Sequence, residues 1–195
     1  MTSFEPNRIA TRSTTLALAD DRDREALIRL LGAQFLEHDV RLTPEQVAVS
    51  VDGVLADSSR GLFIVARMSD GAVVAPRPPP PRAPYPGASV PPEPAISGGD
   101  AVVGLAYLSF MWTLEYGGIS AWLDVLYVVP EHRSHGIGRA LLAAACEASL
   151  RHGCLAVDLE IEATHARAAN LYLRLGFRPH ARTRWVKRLR ALASY

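Results

Sequence analysis

Ten residues between Pro130 and Arg139 (Pro-Glu-His-Arg-Ser-His-Gly-Ile-Gly-Arg) concentrate much of the chemistry the sequence offers. They are rich in small and basic types, and they join an apolar run that reads as a strand to one that reads as a helix. A helix N-terminus presents unpaired N–H groups and the positive end of the helix dipole, which together suit a diphosphate. Gly136 and Gly138 remove side chains that would hold a phosphate away from the backbone. A Walker loop needs Lys-Ser or Lys-Thr after its last glycine, and none follows Gly138. A dinucleotide fingerprint fits better, with Gly136 and Gly138 as GxG and Asp158 twenty residues on, in the next strand. Against it, Leu141 stands where the third small residue belongs, and Gly136 comes seven residues after the last valine of the strand. His132 and His135 form HxxH, but no HExxH or further carboxylate at helical spacing accompanies them, so no metal is expected. A covalent nucleophile is not expected either, because GxSxG is absent and Cys146 sits in mid-helix on an apolar face.

Two stretches together carry a family resemblance. Val128 to Leu142 (VVPEHRSHGIGRALL) closely resembles the coenzyme A loop of the GNAT acetyltransferases, Arg/Gln-x-x-Gly-x-Gly/Ala after a strand and an apolar-x-Pro turn. Ala168 to Phe177 (AANLYLRLGF) resembles the second signature of that family, A-x-x-L-Y-x-x-x-G-F. The spacing and the intervening helix–strand order match as well. The resemblance implies that Arg133, Ser134, His135, Gly136, Ile137, Gly138 and Arg139 hold coenzyme A. It further implies that backbone N–H groups around Leu126, Tyr127 and Val128 hold pantetheine and the thioester carbonyl, where developing negative charge needs a fixed donor. Tyr172 stands where the family places the general acid for the coenzyme A sulfur. Asp124 resembles the acidic residue with which spermidine/spermine-type members receive the proton of the amine. Glu115, Glu160 and Glu162 are its rivals. Ala168 and His165 complete the expected cofactor set, although His165 replaces an asparagine common in relatives. The activity implied is direct transfer of an acetyl group from acetyl-CoA to a primary amine of a small molecule or peptide. A nucleotide-binding oxidoreductase using Gly136 and Gly138 and a non-catalytic acyl-CoA-binding module stay open as alternatives.

The elements that must position these residues can be read from periodicity. A strand is expected over Thr14–Ala19 and a helix from Asp20 or Asp21, with Ala26, Leu27, Leu30, Leu31, Phe35 and Leu36 recurring at helical spacing. Thr43-Pro44-Glu45-Gln46 is a capping box with proline at the first helical position, opening a second helix to about Ala56. LFIVARM and AVVGLAYLSFMW read as strands on either side of an insertion, residues 70–99. Ten of the nineteen residues from Pro76 to Pro94 are proline, a density that excludes a sheet interior or a helix. Trp122–Val129 reads as a strand, and Gly136–His152 as a helix with Ile137, Leu141, Ala144, Ala145 and Ala148 inward, stopped by Gly153. Leu155–Ile161 reads as a strand, Ala166–Leu175 as a helix stopped by Gly176, and one or two terminal strands are expected around Trp185-Val186. With these elements, the resemblance implies the fold class: a single α/β domain over residues 1–195, with a mixed, mostly antiparallel sheet flanked by helices and splayed near Val128.

Composition sets the outer limits. With 195 residues, 49% hydrophobic and 21% charged, the chain can bury a real core and is no disordered polymer. No apolar run reaches the length of a membrane span, and MTSFEPNRIATRSTT lacks the apolar block of a signal peptide, so a cytoplasmic protein without a membrane partner is expected. Cys146 and Cys154 read as core thiols of a reducing compartment. The first 162 residues hold 13 Lys and Arg against 20 Asp and Glu, whereas the remainder has eight basic residues and no acidic one. No aromatic interleaving accompanies those basic residues, so no nucleic-acid partner is expected. The net −7 of the first part is compatible with a cationic acceptor, and the resemblance implies a homodimer.

Overall fold

In a computed structural model, residues 14–68, 101–161, 166–187 and 189 are described. The expected insertion over residues 70–99, Glu162 and His165 lie outside them. The chain divides after Glu160 into two units, Met1–Glu160 and Ile161–Tyr195.

The first unit holds a five-stranded sheet in sequential order. Strands β1 (Thr14–Leu18), β2 (Gly61–Met68), β3 (Ala101–Thr113) and β4 (Gly118–Val128) pair antiparallel in turn, and β5 (Val157–Leu159) joins β4 in parallel. Between β1 and β2 lie α1 (Arg24–Glu37) and α2 (Pro44–Leu55), and between β4 and β5 lies α3 (Ile137–Arg151). This is the expected mixed, mostly antiparallel sheet flanked by helices.

Caps and apolar stripes explain the elements. A 3-10 turn, Asp21–Asp23, precedes α1, where Asp20 accepts the N–H of Arg22 and Asp23 accepts that of Asp20. Asp23 is buried and also ion-pairs with Arg67 at 2.7 Å, tying the start of α1 to β2. Thr43 and Gln46 exchange the two hydrogen bonds of a capping box at α2, and Pro44 stands at its first position. Leu27, Leu30 and Leu31 of α1 and Val47 and Val51 of α2 bury against Phe63, Val65, Leu105, Val125 and Tyr127 on one face of the sheet. The other face meets α3. Gly104 approaches it so closely that an added Cβ would lie 3.2 Å from Leu141 Cδ1.

Several expectations need correction. Leu36 is 60% exposed, because five residues after Leu31 place it about 140° around the helix from the buried stripe. On α3 the buried stripe takes in Leu142 and Ser149, leaving Ala144 and Cys146 half-buried at its flanks. Strand β4 begins at Gly118, four residues earlier than the apolar run indicated, and β5 keeps only three of the seven residues expected. Among the described residues, the terminal strands expected around Trp185-Val186 do not form. Residues 177–187 have no regular secondary structure, and Trp185 is 91% exposed. An apolar pair set among arginines and a lysine has no alternating face to bury.

Candidate functional site

The site is organised by the second half of β4. Its parallel pairing with β5 runs only from Ala121 to Leu123. The ladder with β3 then skips Asp124, passing from Leu108↔Leu123 to Tyr107↔Val125. Such a bulge bends the strand and re-aims side chains, a physical reason for β5 to end where it does. Beyond it the N–H of Val129 bonds back to Val103 at 3.0 Å, while the carbonyl of Val128 points off the sheet. Backbone polar groups alternate sides along a strand, so Leu126 and Val128 direct their N–H groups to the open edge, and Tyr127 directs its own toward β3. Among the described residues of this unit, no strand pairs with that edge after Leu123.

Directly after this edge comes the glycine loop. Pro130–His132 forms a 3-10 turn, and the chain then enters α3 through left-handed backbone at Ser134 (φ 71°) and Gly136 (φ 84°). Only glycine adopts the second of these without strain. The start of α3 has no side-chain cap and no acidic residue in its first turn, so its N–H groups are not neutralised from within. A Cβ added at Gly138 would meet only Val128 Cγ2, at 3.9 Å, so space stands open before this turn. These features fit a diphosphate on the residues named for it. Ser134, His135 and Arg139 are exposed, whereas His132 and His135 share a cleft with Thr14, Met68 and Ile137.

Arg133 is placed differently from its neighbours. Its Nε donates to the Val128 carbonyl at 2.7 Å, and its terminal nitrogen bonds both carboxylate oxygens of Glu37 at 2.7 and 2.9 Å. The guanidinium lies 5.3 Å from the centre of the Tyr127 ring. Burial, with the nearby Glu37 carboxylate, pushes the Tyr127 phenol above its ordinary pKa. Glu37 escaped the sequence reading because it stands 96 residues from Arg133 and belongs to no motif.

Asp124 is exposed at the bulge and accepts the indole N–H of Trp122 at 3.3 Å. Tyr107 has its pKa raised first by burial and then by the charge of Asp124, and its ring lies 4.8 Å from that of Phe63. A carboxylate among aromatic rings therefore sits beside the open edge. Glu115 lies on the β3–β4 turn and Glu160 after β5, and neither shares this position. Asp158 accepts the Tyr116 hydroxyl at 2.9 Å. That contact and the antiparallel sheet remove the basis of the dinucleotide reading, which needs a free acidic residue in a parallel doubly wound sheet.

The second unit holds α4 (Ala166–Arg174). Its end is a Schellman turn: Gly176 (φ 91°) donates to Leu173, and Phe177 donates to Tyr172 at 3.1 Å. The rings of Tyr172 and Phe177 meet edge to face at 5.7 Å. In A-x-x-L-Y-x-x-x-G-F the tyrosine and phenylalanine are thus the two residues that clasp across the helix end. Tyr172 is half-buried, and burial pushes its phenol upward, so it stays protonated at neutral pH. Ala168 is half-buried on the same helix. Cys146 and Cys154 have thiols raised by burial, which disfavours a thiolate nucleophile.

An antiparallel sheet whose open strand meets an uncapped helix start defines an α/β domain suited to an extended, phosphate-bearing ligand. The chain belongs to the acetyltransferase (GNAT) family, whose pattern matches residues 78–177, just over half of its length. It is 33% identical over 89 residues to thialysine N-epsilon-acetyltransferase of Mus musculus, covering 46% of this chain and 52% of that protein. It is 42% identical over 72 residues to mycothiol acetyltransferase of Clavibacter michiganensis, covering 37% of this chain and 23% of that one. The chain spans about half the length of the thialysine enzymes it matches. Among solved structures, an aminoglycoside N-acetyltransferase in complex with CoA superposes with a TM-score of 0.67 at 14% identity, over 95% of this chain and 99% of that one. At that identity the likeness concerns the fold.

Proposed function

We propose that the protein transfers an acetyl group from acetyl-CoA directly to a primary amine. The observation that carries this reading is the juxtaposition of an unpaired strand edge, with the N–H groups of Leu126 and Val128 directed outward, and an uncapped helix start across a left-handed glycine. In this reading the N–H groups from Ser134 to Arg139 hold the diphosphate, and those of Leu126 and Val128 hold pantetheine and the thioester carbonyl. The amine nitrogen attacks that carbonyl, the C–S bond breaks, and Tyr172 protonates the departing thiolate. Asp124 receives the proton lost by the amine. The relatives named for thialysine and mycothiol, and the net −7 of the first 162 residues, support a small cationic amine as acceptor. The two unpaired cysteines support a cytoplasmic setting. For a homodimer, Met111, Trp112 and Leu114, 44%, 70% and 89% exposed near the β3–β4 turn, offer an apolar surface testable by sedimentation.

Two measurements test the proposal. Calorimetry with CoA should show binding, with NAD as the control that shows none. Release of free thiol from acetyl-CoA should then depend on an added amine. CoA binding without amine-dependent thiol release across a broad panel would convert the enzyme into a non-catalytic acyl-CoA-binding module.

A further inference from the structure

We propose that Glu37 is a positioning residue for the coenzyme loop, acting through Arg133. The inference rests on the reading that this loop binds CoA. The family resemblance counts Arg133 among the residues expected to hold coenzyme A. The geometry assigns it instead to a clasp whose partners are the last turn of α1, the end of β4 and the Tyr127 ring.

Each contact has a consequence for the site. By donating to the Val128 carbonyl, Arg133 satisfies an acceptor that β4 turns to its open edge next to the loop, beside the Val128 N–H that points the same way. That bond also draws the start of the 133–138 segment against the strand. Glu37 then holds the end of the guanidinium with two charge-assisted bonds from one nitrogen, one to each carboxylate oxygen, while Nε is fixed by the Val128 carbonyl. Tyr127 lies beneath, with its hydroxyl 3.5 Å from the same carboxylate. Glu37 is the last residue of α1 and opens the connection to α2. The clasp therefore couples that connection to the loop on which the diphosphate is to rest.

The sign of one substitution tests this. If Glu37 positions the loop, Glu37→Gln leaves Arg133 without its charged partner and weakens CoA binding about fivefold, equivalent to ~1 kcal/mol. If Arg133 instead binds phosphate directly, the same change frees a cation for the ligand, and affinity stays equal or rises. Calorimetry of CoA to both proteins reads this without turnover, and Glu37→Asp, which keeps the charge, should recover part of the loss. A positioning role also predicts that KM for acetyl-CoA rises while kcat at saturation is little changed, with a melting temperature near that of the parent. Equal or tighter CoA binding by Glu37→Gln overturns the proposal. Failure of the parent protein to bind CoA overturns the functional reading beneath it, so the two failures are distinguishable.

Discussion

The two halves of β4 make different uses of the same kind of strand. From Ala121 to Leu123 it is paired on both sides, to β3 and β5, and its apolar side chains at Ala121 and Leu123 are buried. From Leu126 to Val128, among the described residues of this unit, it is paired to β3 alone, and one edge faces outward from the sheet. One exposed aspartate at a bulge separates the halves. Backbone hydrogen bonds that close a ladder contribute to stability, whereas those left free can only be satisfied by something that arrives. The difference teaches that an open edge is made by withholding a neighbour, and that here it begins where a single added residue interrupts the ladder.

Losing the proposed proton donor should have the largest effect, and it shows whether the open half works alone. Tyr172→Phe is expected to lower kcat by about 10²–10⁴-fold while CoA binding changes little, since the ring and its contact with Phe177 remain. The raised phenol predicts that any alkaline loss of kcat due to Tyr172 falls above the ordinary tyrosine range, about pH 10, because the active form is the protonated one. Full activity in Tyr172→Phe would leave water or another side chain as the donor. Next comes a pair of prolines that separates the halves directly. Leu126→Pro removes a donor aimed at the open edge and spares the β3 ladder, so the fold should survive while turnover drops about 10²-fold. Val125→Pro removes a donor aimed at β3 and should unfold the domain in thermal melts. If both variants behave alike, the assignment of edges is wrong.

Gly138→Val should weaken CoA binding by roughly 100-fold with an unchanged melting temperature, since the new side chain projects into the space before α3. Unchanged affinity by calorimetry would remove the loop from the binding site. The smallest effect is expected at the boundary between the halves. Asp124→Asn should reduce kcat/KM for the amine about tenfold, most at low pH where the amine is hardest to deprotonate, and leave KM for acetyl-CoA alone. A loss that is the same at all pH values would make Asp124 a binding group for the acceptor and not its base.

What could be read beforehand was mostly local. The capping box at Thr43-Pro44-Gln46 and the glycine stops at Gly153 and Gly176 are written within a few residues of the structure they create, and the helices they bound form as expected. The glycine loop was legible for the same reason. The bulge at Asp124 was not, because its cause lies in the register against β3 and no residue type announces it. Nor was the Glu37–Arg133 pair, whose members meet only after α1 and β4 have packed. The tail misled the sequence reading because an apolar pair such as Trp185-Val186 satisfies a strand pattern without having a strand to join.

The Met68↔Ala101 pair, with which β2 and β3 begin their ladder, has a consequence for the chain between them. Ends held together by a ladder make residues 69–100 a closed loop, and the entropy of closing a loop grows only with the logarithm of its length. Each doubling costs about 0.6 kcal/mol, so a four-residue turn in its place would recover roughly 2 kcal/mol. A segment rich in proline has fewer conformations to lose and costs less still. The sheet can thus carry a long digression at this point for little free energy, and shortening it is expected to leave the melting temperature the same or slightly higher.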